Sequence, residues 1–131
     1  MKSVVVAPDY FGEIVFKGSQ PKMVTFENGA KVANPYQKTR KDSAGQAVPV
    51  WTVKVAVSVE SPNGRTDDDF ITVSVPSDTD PADHYRRGED VQFDRLQFGV
   101  ADTRTGYSLW FSADAIHPAA VGSRAVAAAT A

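Results

Sequence analysis

The residues with the clearest chemical potential lie in a basic segment that contains one aromatic side chain. Residues 31–41 hold no acidic residue and carry Lys31, Tyr36, Lys38, Arg40 and Lys41. A groove for one nucleic-acid strand needs cations for the phosphates and an aromatic face on which a base can stack. The pattern therefore predicts a nucleic-acid contact, and the alternative is an ordinary solvated basic loop.

Two aromatic residues further along the chain are predicted to project from exposed strand faces. Phe70 falls on the polar face of its strand, where stacking of a base is worth about 1–3 kcal/mol. The alternative is a ring covered by the N-terminal segment or by a partner subunit. Trp110 faces away from Leu109 and Phe111, which predicts either a second stacking platform or an interface anchor.

Two further cations are candidates for phosphate contacts. Lys54 lies at the centre of the exposed face of a strand predicted at residues 50–59. Arg104 lies in the loop before the last predicted strand, where loops of small barrels reach their ligands. The alternative for each is a plain surface cation, and each true phosphate contact would steepen the salt dependence of binding.

The charges of the chain are segregated although its net charge is only −2. Residues 1–54 carry eight Lys or Arg and four Asp or Glu, whereas residues 55–131 carry six and twelve. Such segregation permits a local basic groove on an acidic protein.

The sequence lacks the residue patterns typical of catalysis or metal binding. It has no Cys, and its two histidines, His84 and His117, have no His or Cys at ligand spacing. In the acidic stretch at residues 78–83, Ala82 stands where a calcium loop requires a ligand. We therefore expect no catalytic residue, no metal and no cofactor.

The elements that must position these side chains are short strands. Alternation of apolar and polar residues is clearest at residues 50–59, and its β-branched side chains predict a half-buried strand. Asn63 and Gly64 follow as a turn signal. Further strands are predicted at residues 69–75, 90–100 (with a bulge near Arg95) and 107–116, and a weaker one at 23–32.

Five short strands with little helix predict one all-β domain, a small barrel or a sandwich. The basic segment between the first two strands favours a five-stranded antiparallel OB-type barrel, whose ligand site is this loop together with the second and third strands. We assign residues 23–118 to the barrel. Residues 1–22 form an N-terminal extension with an extra strand or hairpin, which completes the barrel, exchanges into a partner subunit or caps the groove.

Residues 119–131 are small, nearly uncharged and rich in alanine, which predicts a flexible, disordered tail. No run of about 18 apolar residues is present to span a membrane. Together with the absence of Cys, this favours a cytoplasmic location.

Four segments, in order, resemble the bacterial single-stranded-DNA-binding protein family. Residues 33–58 resemble its short strand, Asn-Pro turn, basic residues with a Tyr, and alternating strand. DDFITVSV at 68–75 resembles the acidic–aromatic entry into its third strand. YRRGEDVQFDRLQ at 85–97 and DTRTGYSLWFSADAI at 102–116 resemble its fourth strand and its last loop and strand. The resemblance runs from about Met23 to Ile116.

This resemblance implies an OB fold, non-sequence-specific binding of single-stranded DNA (or RNA), DNA replication as the process, and self-association into dimers or tetramers. Phe70 matches the family's stacking aromatic at the start of the third strand, whereas its other stacking positions have no counterpart here. The family's acidic C-terminal tail is absent, which favours a specialised phage, plasmid or mobile-element relative. The rival hypothesis is an OB-like protein-interaction or assembly module without nucleic-acid binding.

Overall fold

The computed structural model describes residues 3–6, 10–60, 66–103 and 106–119. Three sequence predictions fall outside these residues: the turn at Asn63 and Gly64, the contact made by Arg104, and the tail beyond residue 119. Among the described residues there is no helix of the length and apolar character that crossing a bilayer requires.

The described residues form eleven strands and one short 3-10 helix (Pro81–Asp83), without an α-helix. The strands are β1 (Ser3–Val5), β2 (Glu13–Pro21), β3 (Met23–Glu27), β4 (Ala30–Gln37), β5 (Thr39–Lys41), β6 (Ala47–Glu60), β7 (Thr66–Pro76), β8 (Val91–Asp94), β9 (Gln97–Thr103), β10 (Gly106–Ser112) and β11 (Ala115–Pro118). The all-β class is therefore confirmed.

The predicted number of five strands is wrong because several predicted elements divide. The strand at residues 23–32 turns back at Asn28 and Gly29, whose φ angles of 50° and 77° make the β3–β4 hairpin. Arg95, with a φ of 51°, separates β8 from β9 at the position of the predicted bulge. The basic segment predicted as a loop is largely extended, in β4 and β5.

Seven strands form the main sheet: six follow the order β1-β9-β10-β7-β6-β2, and β5 pairs with the beginning of β6. Strands β3–β4 and β8–β11 form two separate two-stranded sheets. The pairing of β7 with β10 is parallel, with Phe111 opposite Val73 and Ser112 opposite Ser74. The main sheet is therefore mixed, whereas the sequence predicted an antiparallel one.

The main sheet is not closed into a barrel by a continuous ladder within the described residues. Its path ends at β1 and at β2. The residues before β8 meet β2 through the bridge between Val15 and Asp90. Two backbone hydrogen bonds of 2.8 Å accompany it, from Phe16 to Glu89 and from Gly88 to Phe16. At this point the β2 margin of the main sheet therefore meets the segment that leads into β8.

The core lies on one face of the main sheet. Its buried side chains alternate along β6 and β7 as the sequence predicts: Val53, Val55, Val57, Val73 and Val75. β-Branched side chains suit this position because they pack well on a pleated surface.

Strand β2, which lies in the predicted N-terminal extension, belongs to the main sheet. It pairs with β6 from Glu13, opposite Ser58, to Pro21, opposite Trp51. Phe16 is only 2% exposed and packs in the core, with its ring centroid 5.8 Å from that of Tyr85.

Candidate nucleic-acid interface

The face of the main sheet that turns away from the core carries Lys54, Phe70, Ser74 and Trp110, and we call it the outer face. Alternation along β7 places Phe70 there, because Val73 and Val75 are buried on the other side. The Phe70 ring is 61% exposed, and the Lys54 ammonium lies 5.3 Å from its centroid. An exposed ring beside a cation can hold a base and a neighbouring phosphate.

Trp110 reaches the outer face from β10. Its neighbour Phe111 lies opposite Val73 and packs against the core, so Trp110 points the other way. Opposite Trp110 on β9 is Gly99. The indole lies so close over Gly99 that a β-carbon there would be 2.3 Å from Cζ2 of the ring. The missing side chain of Gly99 thus lets the half-buried indole pack closely against the sheet.

The basic segment lies on the hairpin and on the strand that follows it. Lys31 and Tyr36 lie on β4, Arg40 and Lys41 lie on β5, and Lys38 lies between these strands. Tyr36 is 45% exposed, and its hydroxyl donates a hydrogen bond to the carboxylate of Glu27 on β3. The hairpin thus presents an aromatic ring together with cations.

Phe26 is a candidate residue that the sequence interpretation missed. Its ring is 66% exposed on β3, directly opposite Lys31 on β4. The Asn28-Gly29 pair is a recognised hairpin signal, and reading it as a turn would have placed these two side chains together. Phe26 therefore joins Tyr36 as an exposed ring on the basic hairpin.

Arg40 differs from the other cations because its guanidinium is already paired. It donates to the carboxylate of Asp114 and, at 3.2 Å, to the carbonyl of Ala113. This contact ties β5 to the turn between β10 and β11. Within the part of the chain that the structure describes, Lys38 and Lys41 form no ion pair and stay available to an anion.

Acidic residues border the outer face at the beginning of β7. Asp68 and Asp69 are exposed, and the Asp69 carboxylate accepts a hydrogen bond from the Phe70 N–H at 2.8 Å. No group of three or more metal-ligating side chains occurs among the described residues. The acids repel phosphates from this margin, whereas Lys54 attracts them on the other side of Phe70.

A cleft of about 450 Å³ joins the outer face to the hairpin. Its lining includes Lys22, Lys38, Arg40, Ser74 and Trp110. The fold thus brings part of the basic segment next to Trp110, although these residues are about 70 positions apart in the sequence. Lys31 and Tyr36 lie further out on the hairpin, and the position of Arg104 is outside the described residues.

The hydrogen bond to Glu27 raises the pKa of Tyr36 above its usual value of 10, and burial and the Glu27 charge act in the same direction. We expect Glu27→Ala to lower this pKa towards 10, because the acceptor and its charge are both lost. Since the pKa is higher in the folded state, the contact favours folding below pH 10 and is lost as the pH rises through the folded-state pKa.

An NMR titration of the tyrosine ring signals measures this change. Tyr85 is the internal control, because its raised pKa comes first from burial and then from the charge of Glu89. Glu27→Ala should leave Tyr85 unchanged. An unaltered Tyr36 titration in the variant would show that the hydrogen bond does not form in solution.

Searches for related proteins returned no assignment. No family model matches the chain, and no curated protein matches it.

Proposed function

We propose that this protein binds single-stranded nucleic acid, DNA in the first instance, without sequence specificity. The strand lies on the outer face and extends onto the β3–β4 hairpin. The observation that carries this proposal is the Phe70 ring, 61% exposed in the middle of a sheet with the Lys54 ammonium 5.3 Å from its centroid. Stacking on an exposed ring is sequence-tolerant, because every base has an aromatic face.

We infer that the main sheet, together with β8, is a partly open OB-type barrel, and this architecture supports the proposal. Five strands then form the barrel in chain order, β2, β6, β7, β8 continuing into β9, and β10, and they meet again at the Val15–Asp90 bridge. OB folds are partly open Greek-key barrels that bind their ligands on the second and third strands. In this chain those strands are β6 and β7, which carry Lys54 and Phe70.

The distribution of charge supports a defined path for the strand. Asp68 and Asp69 disfavour phosphates at the beginning of β7. Lys54 and Lys38 attract them along the outer face and towards the hairpin, where Phe26 and Tyr36 offer further rings. The net charge of −2 is therefore compatible with a local groove for an anionic polymer.

Fluorescence anisotropy with a labelled oligothymidine tests the proposal. We expect binding at about 50 mM salt that weakens steeply at higher salt, with a slope of about −0.7 per phosphate contact. Phe70→Ala should weaken binding by about 5- to 150-fold, which corresponds to the loss of one stacked base.

Val100→Ala is the matched control for Phe70→Ala. Val100 is 45% exposed on β9, and because it follows Gly99, which lies opposite Trp110, it points away from the outer face. Its replacement should leave the affinity unchanged. Absence of binding at about 50 mM salt would contradict the proposal. Unchanged tryptophan emission on addition of oligonucleotide, together with tight self-association, would favour the interaction module instead.

A further inference from the structure

Two lysines line the cleft between the hairpin and the outer face. Lys22 precedes β3 and Lys38 follows β4, and the Lys38 N–H donates to the Lys22 carbonyl at 2.7 Å. Both side chains line the cleft of about 450 Å³. Neither forms an ion pair with any residue that the structure describes. The cleft therefore gathers positive charge at the base of the hairpin.

Lys22 holds its charge in a half-buried position. Its Nζ donates to the hydroxyl of Ser74 at 2.6 Å, a neutral partner. Burial, and to a lesser extent the charge of Lys38, lower the pKa of Lys22 below its usual value of 10.5. An anion in the cleft would relieve both effects, because it offsets the desolvation of one ammonium and the repulsion between the two.

A third cation, Arg40, also lines the cleft, but its positive charge is balanced by the ion pair with Asp114. Two positive charges therefore remain, those of Lys22 and Lys38. A phosphodiester carries one negative charge, whereas a phosphate monoester carries about −1.5 to −2 near pH 7. The monoester is the better match, and Trp110 in the wall of the same cleft can stack with an attached base.

We propose that this cleft binds the phosphorylated end of a nucleic-acid strand, with the terminal phosphate monoester between Lys22 and Lys38 and the end base against Trp110. The inference rests on the proposed function and deepens it, because it names the part of the strand that enters the cleft. The Ser74 hydroxyl accepts from Lys22 and so keeps its own hydrogen to donate to the phosphate.

Anisotropy titrations with three internally labelled oligothymidines of one length test this inference. One carries a 5′-phosphate, one a 3′-phosphate, and one has hydroxyls at both ends. We expect one phosphorylated end to bind about tenfold more tightly than the hydroxyl-ended strand, the effect of about one charged hydrogen bond. The two phosphorylated oligonucleotides decide which end enters the cleft.

Lys22→Gln should abolish this preference and leave the affinity for the hydroxyl-ended strand nearly unchanged. Lys38→Gln should also abolish the preference, and it should weaken binding of all three strands as well, because Lys38 lies on the path of the strand. Lys17→Gln on β2 is the matched control and should keep the preference, because Lys17 does not line the cleft. Phe70→Ala should weaken binding of all three strands equally.

Equal affinities of the wild-type protein for the three strands would overturn the inference and leave the proposed function standing. Equal weakening of all three strands by Lys22→Gln would also overturn it, because the lysine would then contact an internal phosphate. No binding of any strand would overturn the inference together with the proposed function.

Discussion

Phe16→Ala is expected to destabilise the protein by about 3–5 kcal/mol, the usual cost of truncating a buried phenylalanine. Phe16 lies on β2, is 2% exposed, and packs against the valines of β6 and β7 and against Tyr85. Since domains of this size are stable by only about 5–15 kcal/mol, this single change removes a large part of the folding free energy. Urea unfolding followed by tryptophan fluorescence measures the effect.

Phe26→Ala is the control for this prediction, because it removes the same atoms from a ring that is 66% exposed. It should change the free energy of unfolding by no more than about 0.5 kcal/mol. If the two variants were equally stable, Phe16 would not be a core residue.

Gly99→Ala is expected to destabilise the protein by about 1–3 kcal/mol, although it adds only one methyl group. The new β-carbon would lie 2.3 Å from Cζ2, 2.5 Å from Cε2 and 2.8 Å from Nε1 of Trp110. The backbone of Gly99 has little freedom to yield, because β9 is paired with β10 on one side and with β1 on the other. The indole must therefore move away from the sheet.

Gly18→Ala is the matched control, because Gly18 also lies in a strand of the main sheet but a β-carbon there would meet no other atom within 4 Å. It should leave the free energy of unfolding unchanged or raise it by about 0.4–1 kcal/mol, since alanine restricts the unfolded chain. The indole N–H signals in an NMR spectrum report the displacement of Trp110 in Gly99→Ala. An unshifted indole signal and unchanged stability would show that the ring does not lie over Gly99.

The two stability predictions also bear on the proposed function through Trp110. If the indole forms part of the binding surface, Gly99→Ala should weaken binding of oligothymidine beyond its effect on the folded fraction. Phe16→Ala, measured under conditions in which the protein remains folded, should not weaken binding. Comparison of the two variants therefore distinguishes a loss of binding caused by unfolding from one caused by displacement of the Trp110 ring.

Which face of a strand each side chain occupies could be predicted from the sequence alone. Alternation with a period of two places Val53, Val55 and Val57 on the buried side of β6, and it places Phe70 on the exposed side of β7. This information is local, because successive side chains of a strand point to opposite faces whatever the strand pairs with. The all-β class followed from the same periodicity.

The partners of the strands were decided only by the tertiary structure. The parallel pairing of β7 with β10 and the entry of β2 into the main sheet depend on packing between segments that are distant along the chain. The ion pair of Arg40 with Asp114 joins residues 74 positions apart. The cleft around Lys22 and Lys38 exists only because the base of the hairpin is hydrogen-bonded to Val50 at the beginning of β6. Periodicity fixes the direction of a side chain, but long-range contacts select its neighbours, because the free energy of burial depends on which surfaces meet.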